Sequence, residues 1–205
     1  MARRTKAEAE TTRAAILDAA EQLFFQFGVS RTTLEKIAQA ANVTRGAIYW
    51  HFDNKADVFN AMLERVRLPF QHLLAEVDSN PHVDPFLQVR DLMVNALQMI
   101  ANSEQLHRVL TIVFHRCEYL DELNPAVNKQ DELDAQTIAV MQRAFARAEQ
   151  AGMLRAGVSP RLAASAFHMY VGGIISSYLL KPQQCDLDQH AAVLIDAMLQ
   201  GLKQR

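Results

Sequence analysis

Arginine, tyrosine, tryptophan and histidine crowd one short stretch of this chain. Arg45, Tyr49, Trp50 and His51 lie close together, with Gly46 beside the arginine and Lys55 just beyond. This is chemistry for nucleic acid. An arginine fork donates two parallel bonds to guanine, and a glycine lets backbone approach a base edge. The hydroxyls of Thr44 and Tyr49 can bond phosphate or lie against thymine methyl groups. Lys55 opens a following helix, and a helix N-terminus with a lysine suits another phosphate. A helical hairpin with a merely solvated face is the bland alternative. It leaves the exposure of these four side chains together without a reason.

Such side chains need a rigid mount. Thr32-x-x-Glu35 has the spacing of a capping box and starts a helix. Leu34, Ile37, Ala38 and Ala41 then give one apolar stripe. Asn42 breaks it, because asparagine tolerates the left-handed conformation of a sharp turn. Thr44 caps the next helix, and Val43 and Ile48 have the spacing of a hydrophobic staple. Ile48 and Phe52 are expected to face inward, leaving Arg45, Gly46, Tyr49, Trp50 and His51 outward. Two helices at a tight turn make a helix-turn-helix, whose second helix enters the DNA major groove.

Thr11 to Phe27 is expected to form the helix before this pair. Ile16, Leu17, Ala20, Leu23, Phe24 and Phe27 are its buried stripe, and Gly28 ends it. Arg13, on its other face, and Thr33, at the start of the pair, are further candidates for DNA contact. Met1 to Glu10 is polar and begins with Arg3, Arg4 and Lys6. An arm reaching phosphate or a minor groove and a solubilising tail both account for it.

The run VTRGAIYWHF at Val43 to Phe52, followed by Asn54-Lys55-Ala56-Asp57, resembles the DNA-binding motif of TetR-type transcriptional repressors. ARRTKAEAE at Ala2 to Glu10, Thr12-Arg13, Ile16-Leu17-Asp18 and FHRCE at Phe114 to Glu118 resemble AcrR-like repressors of multidrug efflux pumps. The resemblance is dense over about the first 60 residues and patchy beyond. Asn42 departs from it, since many relatives carry glycine there. It implies a homodimer, double-stranded operator DNA as partner and a small lipophilic or aromatic inducer held in a pocket of the body.

Composition agrees. The chain has 205 residues, half of them hydrophobic and 21% charged, with only 7 glycines and 6 prolines. That favours helix throughout. Up to residue 55 there are 8 basic and 6 acidic side chains, against 13 and 17 afterwards. A mildly basic head on an acidic body fits a local DNA footprint. The expected class is all-α: a three-helix DNA-binding domain over residues 1–55, on a larger ligand-binding and dimerisation bundle over 56–205. Beyond the head, Asn54 and Asp57 start a long helix through Pro69, where a kink or a break is expected. Further helices are expected at about 86–102, 104–116, 124–151, 160–180 and 188–203 from the helical period.

No run of about 18 uncharged apolar residues is present, so no membrane span is expected. Two well-separated cysteines and a charged N-terminus suit a reduced cytoplasmic protein. There is no Gly-rich phosphate loop, no G-x-S-x-G elbow and no H-E-x-x-H, so no catalytic residue, cofactor or enzymatic activity is expected. His115 and Cys117 point about 200° apart on a helix and make a poor metal pair.

In the body, Met93, Phe114, Met141, Phe145 and Met169 can supply a deformable apolar wall, since methionine suits promiscuous pockets. Cys117 belongs to the same candidate ligand set. Glu118 falls one turn from Phe114 and would favour a lipophilic cation, unless water or an arginine such as Arg116 or Arg143 satisfies it. Arg67 is also a candidate and would repel such a cation. Phe167, Tyr170, Gly173, Ile174 and Ser177, with Ile195 and Leu199, are the candidate dimer interface, as the resemblance implies. A core helix of a single chain accounts for the same pattern. The function expected is a ligand-responsive repressor of a multidrug efflux operon. The alternative is a constitutive DNA-binding or scaffold protein whose body only dimerises.

Overall fold

The computed structural model describes residues 6–79, 82–117 and 124–204. Among them the chain is helical: α1 (Lys6–Phe27), α2 (Leu34–Ala40), α3 (Arg45–His51), α4 (Lys55–Ser79), α5 (Pro85–Asn102), α6 (Glu104–Thr111), α7 (Asn124–Gln150), α8 (Pro160–Leu180) and α9 (Leu187–Leu202). Local chemistry explains the boundaries. Asp84 and Asp186 accept backbone N–H bonds at the starts of α5 and α9. Ser159 does so for α8, with Pro160 at the first helical position. Gly28 and Gly152 end α1 and α7 at φ +84° and +69°.

The helices form two compact units. The first comprises α1 to α3, α4 up to Arg67, and the segment from Arg108; the second comprises Leu68 to His107 and the chain from Gln130 onward. In the first, Ile16, Leu17, Phe24, Ile37, Ile48, Val58, Phe59 and Met62 are buried. The rings of Phe24 and Phe59 meet edge to face at 6.0 Å. Glu21, 3% exposed, accepts from Arg108 Nε at 2.8 Å. In the second, Phe86, Phe145 and Phe167 form an edge-to-face chain with centroids 5.7 and 6.3 Å apart. Arg90 donates to both oxygens of Asp196, tying α5 to α9. That carboxylate raises the arginine's pKa above its ordinary value.

Several expectations are corrected. Thr32 does not cap α2. It is buried and donates to the Gly28 carbonyl at 2.9 Å, while Thr33 accepts from Lys36 N at 3.3 Å. Of two adjacent threonines, the one with extended backbone at the helix mouth caps, and the other closes the turn. Phe27 is 47% exposed rather than buried. The helix from Glu104 does not run uniformly to Arg116, because its last turn, Ile112–Arg116, widens to π geometry. Val29 N donates to the Arg116 carbonyl at that turn. Of the two alternatives at Pro69, the break is not met, since α4 is unbroken through it. The chain end, expected to be free of strand, makes one antiparallel bridge between Leu154 and Lys203.

α8 is long and apolar enough, by length and composition, to cross a membrane, at mean hydropathy 1.2. Such a helix is equally the core helix of a packed bundle, and one side of α8 is buried by Ala163, Ala164, Phe167, Val171 and Leu179.

Candidate nucleic-acid interface

The turn between α2 and α3 is held by backbone bonds. Ala41 N, Asn42 N and Val43 N donate to the carbonyls of Ile37, Gln39 and Ala38 at 2.9, 3.1 and 2.9 Å. Asn42 takes φ +54°, so the left-handed turn rests on the residue expected for it. Thr44 Oγ1 accepts from Ala47 N at 3.1 Å and sets the start of α3. Ile48 is the buried residue of α3 and anchors it against the unit's core. Phe52 follows, 5% exposed, with the Arg13 guanidinium 5.2 Å above its ring. One face of α3 is therefore fixed, and the other is open.

On the open face Tyr49 is 46% and Trp50 72% exposed. Arg45, the first helical residue, points between two partners. Its Nη1 lies 2.8 Å from Glu35 Oε1 of α2, and its guanidinium lies 5.8 Å from the Tyr49 ring centroid. Gly46 has open space where a Cβ would stand, the nearest atom being Thr44 Oγ1 at 4.0 Å. The chain's own packing does not demand glycine there. His51 is half-buried and meets Trp50 edge to face at 4.6 Å. Lys55 begins α4, whose mouth is closed by Asn54 Oδ1 accepting from Asp57 N at 3.0 Å. Arg3 lies outside the described residues.

Sequence reasoning missed two neighbours of this face. Glu35 reads as a capping partner, and it is the acidic partner of Arg45 instead. Lys36, whose ammonium donates to the Arg31 carbonyl at 3.0 Å, sits in the helix's first turn, where acidic residues are the usual signal. A hollow of about 380 Å³ adjoins Trp50, lined by Arg13, His51, Asp53, Asp57 and Glu64 among others. Three carboxylates against one guanidinium make it a poor seat for phosphate.

The candidate ligand residues divide between the units. Arg67, Phe114 and Cys117 belong to the first, and Met93, Met141, Phe145 and Met169 to the second. Glu118 lies outside the described residues. Arg67 is mostly buried; its Nη1 is 3.4 Å from Glu64 Oε1, and its Nε has no acceptor among the described residues. Phe114 is 41% exposed. Met93, Met141 and Phe145 come together in the packed core of the second unit. Met169 does not join them. It is 67% exposed, because it stands two positions from the fully buried Phe167 and so on the opposite side of α8.

The candidate interface residues also divide. Phe167, Ile195 and Leu199 are 0 to 3% exposed in this chain's own core, so no second copy can reach them. Tyr170, Gly173, Ile174 and Ser177 instead line an apolar groove of about 410 Å³ along α8. The Tyr170 hydroxyl donates to the Leu194 carbonyl at 2.9 Å, joining α8 to α9. A Cβ on Gly172 or Gly173 would meet nothing within 4 Å, so close approach inside the chain does not explain the two mid-helix glycines. Among the described residues, no three His, Cys, Asp or Glu side chains gather as a metal site would require.

Comparison with known proteins gives this face its context. Residues 16–62 match the bacterial regulatory proteins of the tetR family, and residues 84–204 match the C-terminal region of MAATS-type transcriptional repressors. The HTH-type transcriptional repressor BepR of Brucella suis is 37% identical over 201 residues, which cover 98% of this chain and 96% of BepR. Among solved structures, NalD, the secondary repressor of the MexAB-OprM multidrug efflux pump in Pseudomonas aeruginosa, superposes with a TM-score of 0.89 at 42% identity, covering 97% of this chain and 99% of NalD. A triclosan complex of SmeT, the repressor of the Stenotrophomonas maltophilia efflux pump SmeDEF, superposes at 0.81 with 34% identity, covering 95% and 92%.

Proposed function

Because the chain belongs to the TetR family of bacterial regulatory proteins and is related to efflux-pump repressors, we propose that it silences a multidrug efflux operon and leaves its operator when a lipophilic or aromatic compound binds its helical body. It is a DNA-binding transcriptional repressor and not an enzyme. Acting on DNA, it works in the cytoplasm. The observation that carries the reading is the exposed face of α3. Arg45, Tyr49 and Trp50 project from a helix capped by Thr44 and anchored by Ile48. Arg45 is the base reader, and Thr33, Thr44 and Lys55 hold phosphates, while Arg13, among three carboxylates, does not.

The working unit is a homodimer through α8 and α9. Support comes from Gly173 and Ser177, exposed on α8, and from Met169 and Val193, 67% and 65% exposed. Two-fold symmetry then sets two copies of α3 in successive major grooves, about 34–36 Å apart. Met93, Met141 and Phe145 form the apolar wall for the inducer. They are packed at 0 to 5% exposure, so a guest enters by moving them, which flexible methionine allows. Release requires the guest to bind the DNA-incompetent state more tightly than the competent one.

The test is enrichment of genomic fragments by the full chain with and without triclosan, the compound bound to SmeT. Fragments upstream of transporter genes that are lost when triclosan is added are expected. Fragments retained unchanged across a panel of aromatic compounds would leave only a constitutive DNA-binding protein.

A further inference from the structure

We propose that Glu35 is a positioning residue for base readout, holding the Arg45 guanidinium in its reading geometry before DNA arrives and suppressing attraction to DNA of the wrong sequence. The inference rests on the reading of α3 as the recognition helix.

Arg45 opens α3 with no helical residue before it, so its long side chain has little of its own helix to lie against. Left alone, it would sample many rotamers, and each would have to be given up on docking. Two contacts remove that freedom. Glu35 Oε1 lies 2.8 Å from the Arg45 Nη1 as an ion pair, and the Tyr49 ring centroid lies 5.8 Å from the guanidinium carbon. A guanidinium has five N–H donors in a fixed fork, so pairing with one carboxylate oxygen leaves enough for a guanine O6/N7 pair. The carboxylate belongs to the first turn of α2, where a negative charge is favoured by the helix N-terminus.

Both partners are open to water, with side chains 69% and 63% exposed. An ion pair so exposed contributes little to folding. Its consequence lies in DNA binding. On the proposed DNA-facing surface Glu35 repels phosphate and cancels the charge of Arg45. Sequence-independent attraction, which counts phosphates neutralised, is thereby reduced. A guanine at the right position still collects the directed bonds. The pair exchanges general affinity for discrimination.

Two variants separate charge from positioning. Glu35→Ala removes the charge and the acceptor, while Glu35→Gln removes the charge and keeps an acceptor at the same reach. The probes are a duplex selected from a random pool by the wild-type full chain, its single-base-pair variants, and a random duplex of equal length. Both substitutions are expected to tighten binding to the random duplex several-fold and to steepen its salt dependence by roughly one unit per head. Only Glu35→Ala should relax preference at the base pair that Arg45→Ala relaxes, and Glu35→Gln should keep most of it. Thermal melting of both should match the wild type. If Glu35→Ala keeps full preference at that base pair, Glu35 does not position Arg45 and the proposal falls. If Arg45→Ala relaxes no base pair at all, the assignment of α3 as reader fails instead.

Discussion

α3 and α8 are both helices with one face inward, yet they differ in how that face is specified. In α3 a single residue, Ile48, is fully buried, and the rest of the surface is polar, aromatic or small. A shift in phase would bury arginine or expose the isoleucine, so only one orientation is tolerable. α8 is apolar nearly all round. Phe167 is buried and Met169 is 67% exposed, although either is at home inside. Hydrophobic periodicity gives a direction only where polar residues mark the other side. In α8 the orientation is decided by packing partners, such as Phe145 of α7, whose ring centroid lies 6.3 Å from that of Phe167.

Truncation is the sharpest way to break that contrast. Phe167→Ala should cost about 3–5 kcal/mol in chemical unfolding, the loss expected for a fully buried phenylalanine. Leu162→Ala, at an exposed position in the first turn of α8, should change the same measurement by at most about 0.5 kcal/mol, as exposed substitutions do. Comparable losses would mean that the inward face of α8 is misassigned.

In the first unit the pair of buried Glu21 and part-exposed Arg108 allows a test of intermediate size. Glu21→Gln should cost about 1–3 kcal/mol, the range for a hydrogen bond to a charged group. Denaturant midpoints would measure it, and an unchanged midpoint would show that the charge of Glu21 adds nothing to the pair.

Smaller again is the effect at the caps. Thr33→Ala and Thr44→Ala should each cost roughly 1 kcal/mol through loss of a capping bond. Thr32→Ser should cost less than Thr33→Ala, because it keeps the hydroxyl that bonds the Gly28 carbonyl. No loss from Thr33→Ala, read from thermal melts, would show that Thr33 is not the cap.

Most of the head was legible because its signals are local. Asn42, Thr44, Gly28 and Ile48 each act within four or five residues, and spacing carries that information. The helix boundaries of the body were legible for the same reason, through Ser159-Pro160 and Gly152. What escaped was non-local. Glu35 has two chemically good roles, and only the approach of α3 decides that it pairs with Arg45. The π turn at Ile112–Arg116 goes with a backbone bond to Val29, which no local pattern announces. Which residues of α8 face inward depends on α5, α7 and α9 together.

The central claim is that α3 reads bases while the flanking cations hold phosphate. The direct measurement compares Arg45→Ala with Lys55→Ala on a duplex selected by the wild-type chain, each titrated over a range of salt. The account predicts that Arg45→Ala costs about 1–3 kcal/mol and relaxes preference at one base position. Lys55→Ala should weaken all sequences alike and flatten the salt dependence by about one unit. Identical, sequence-independent losses from both substitutions would contradict it.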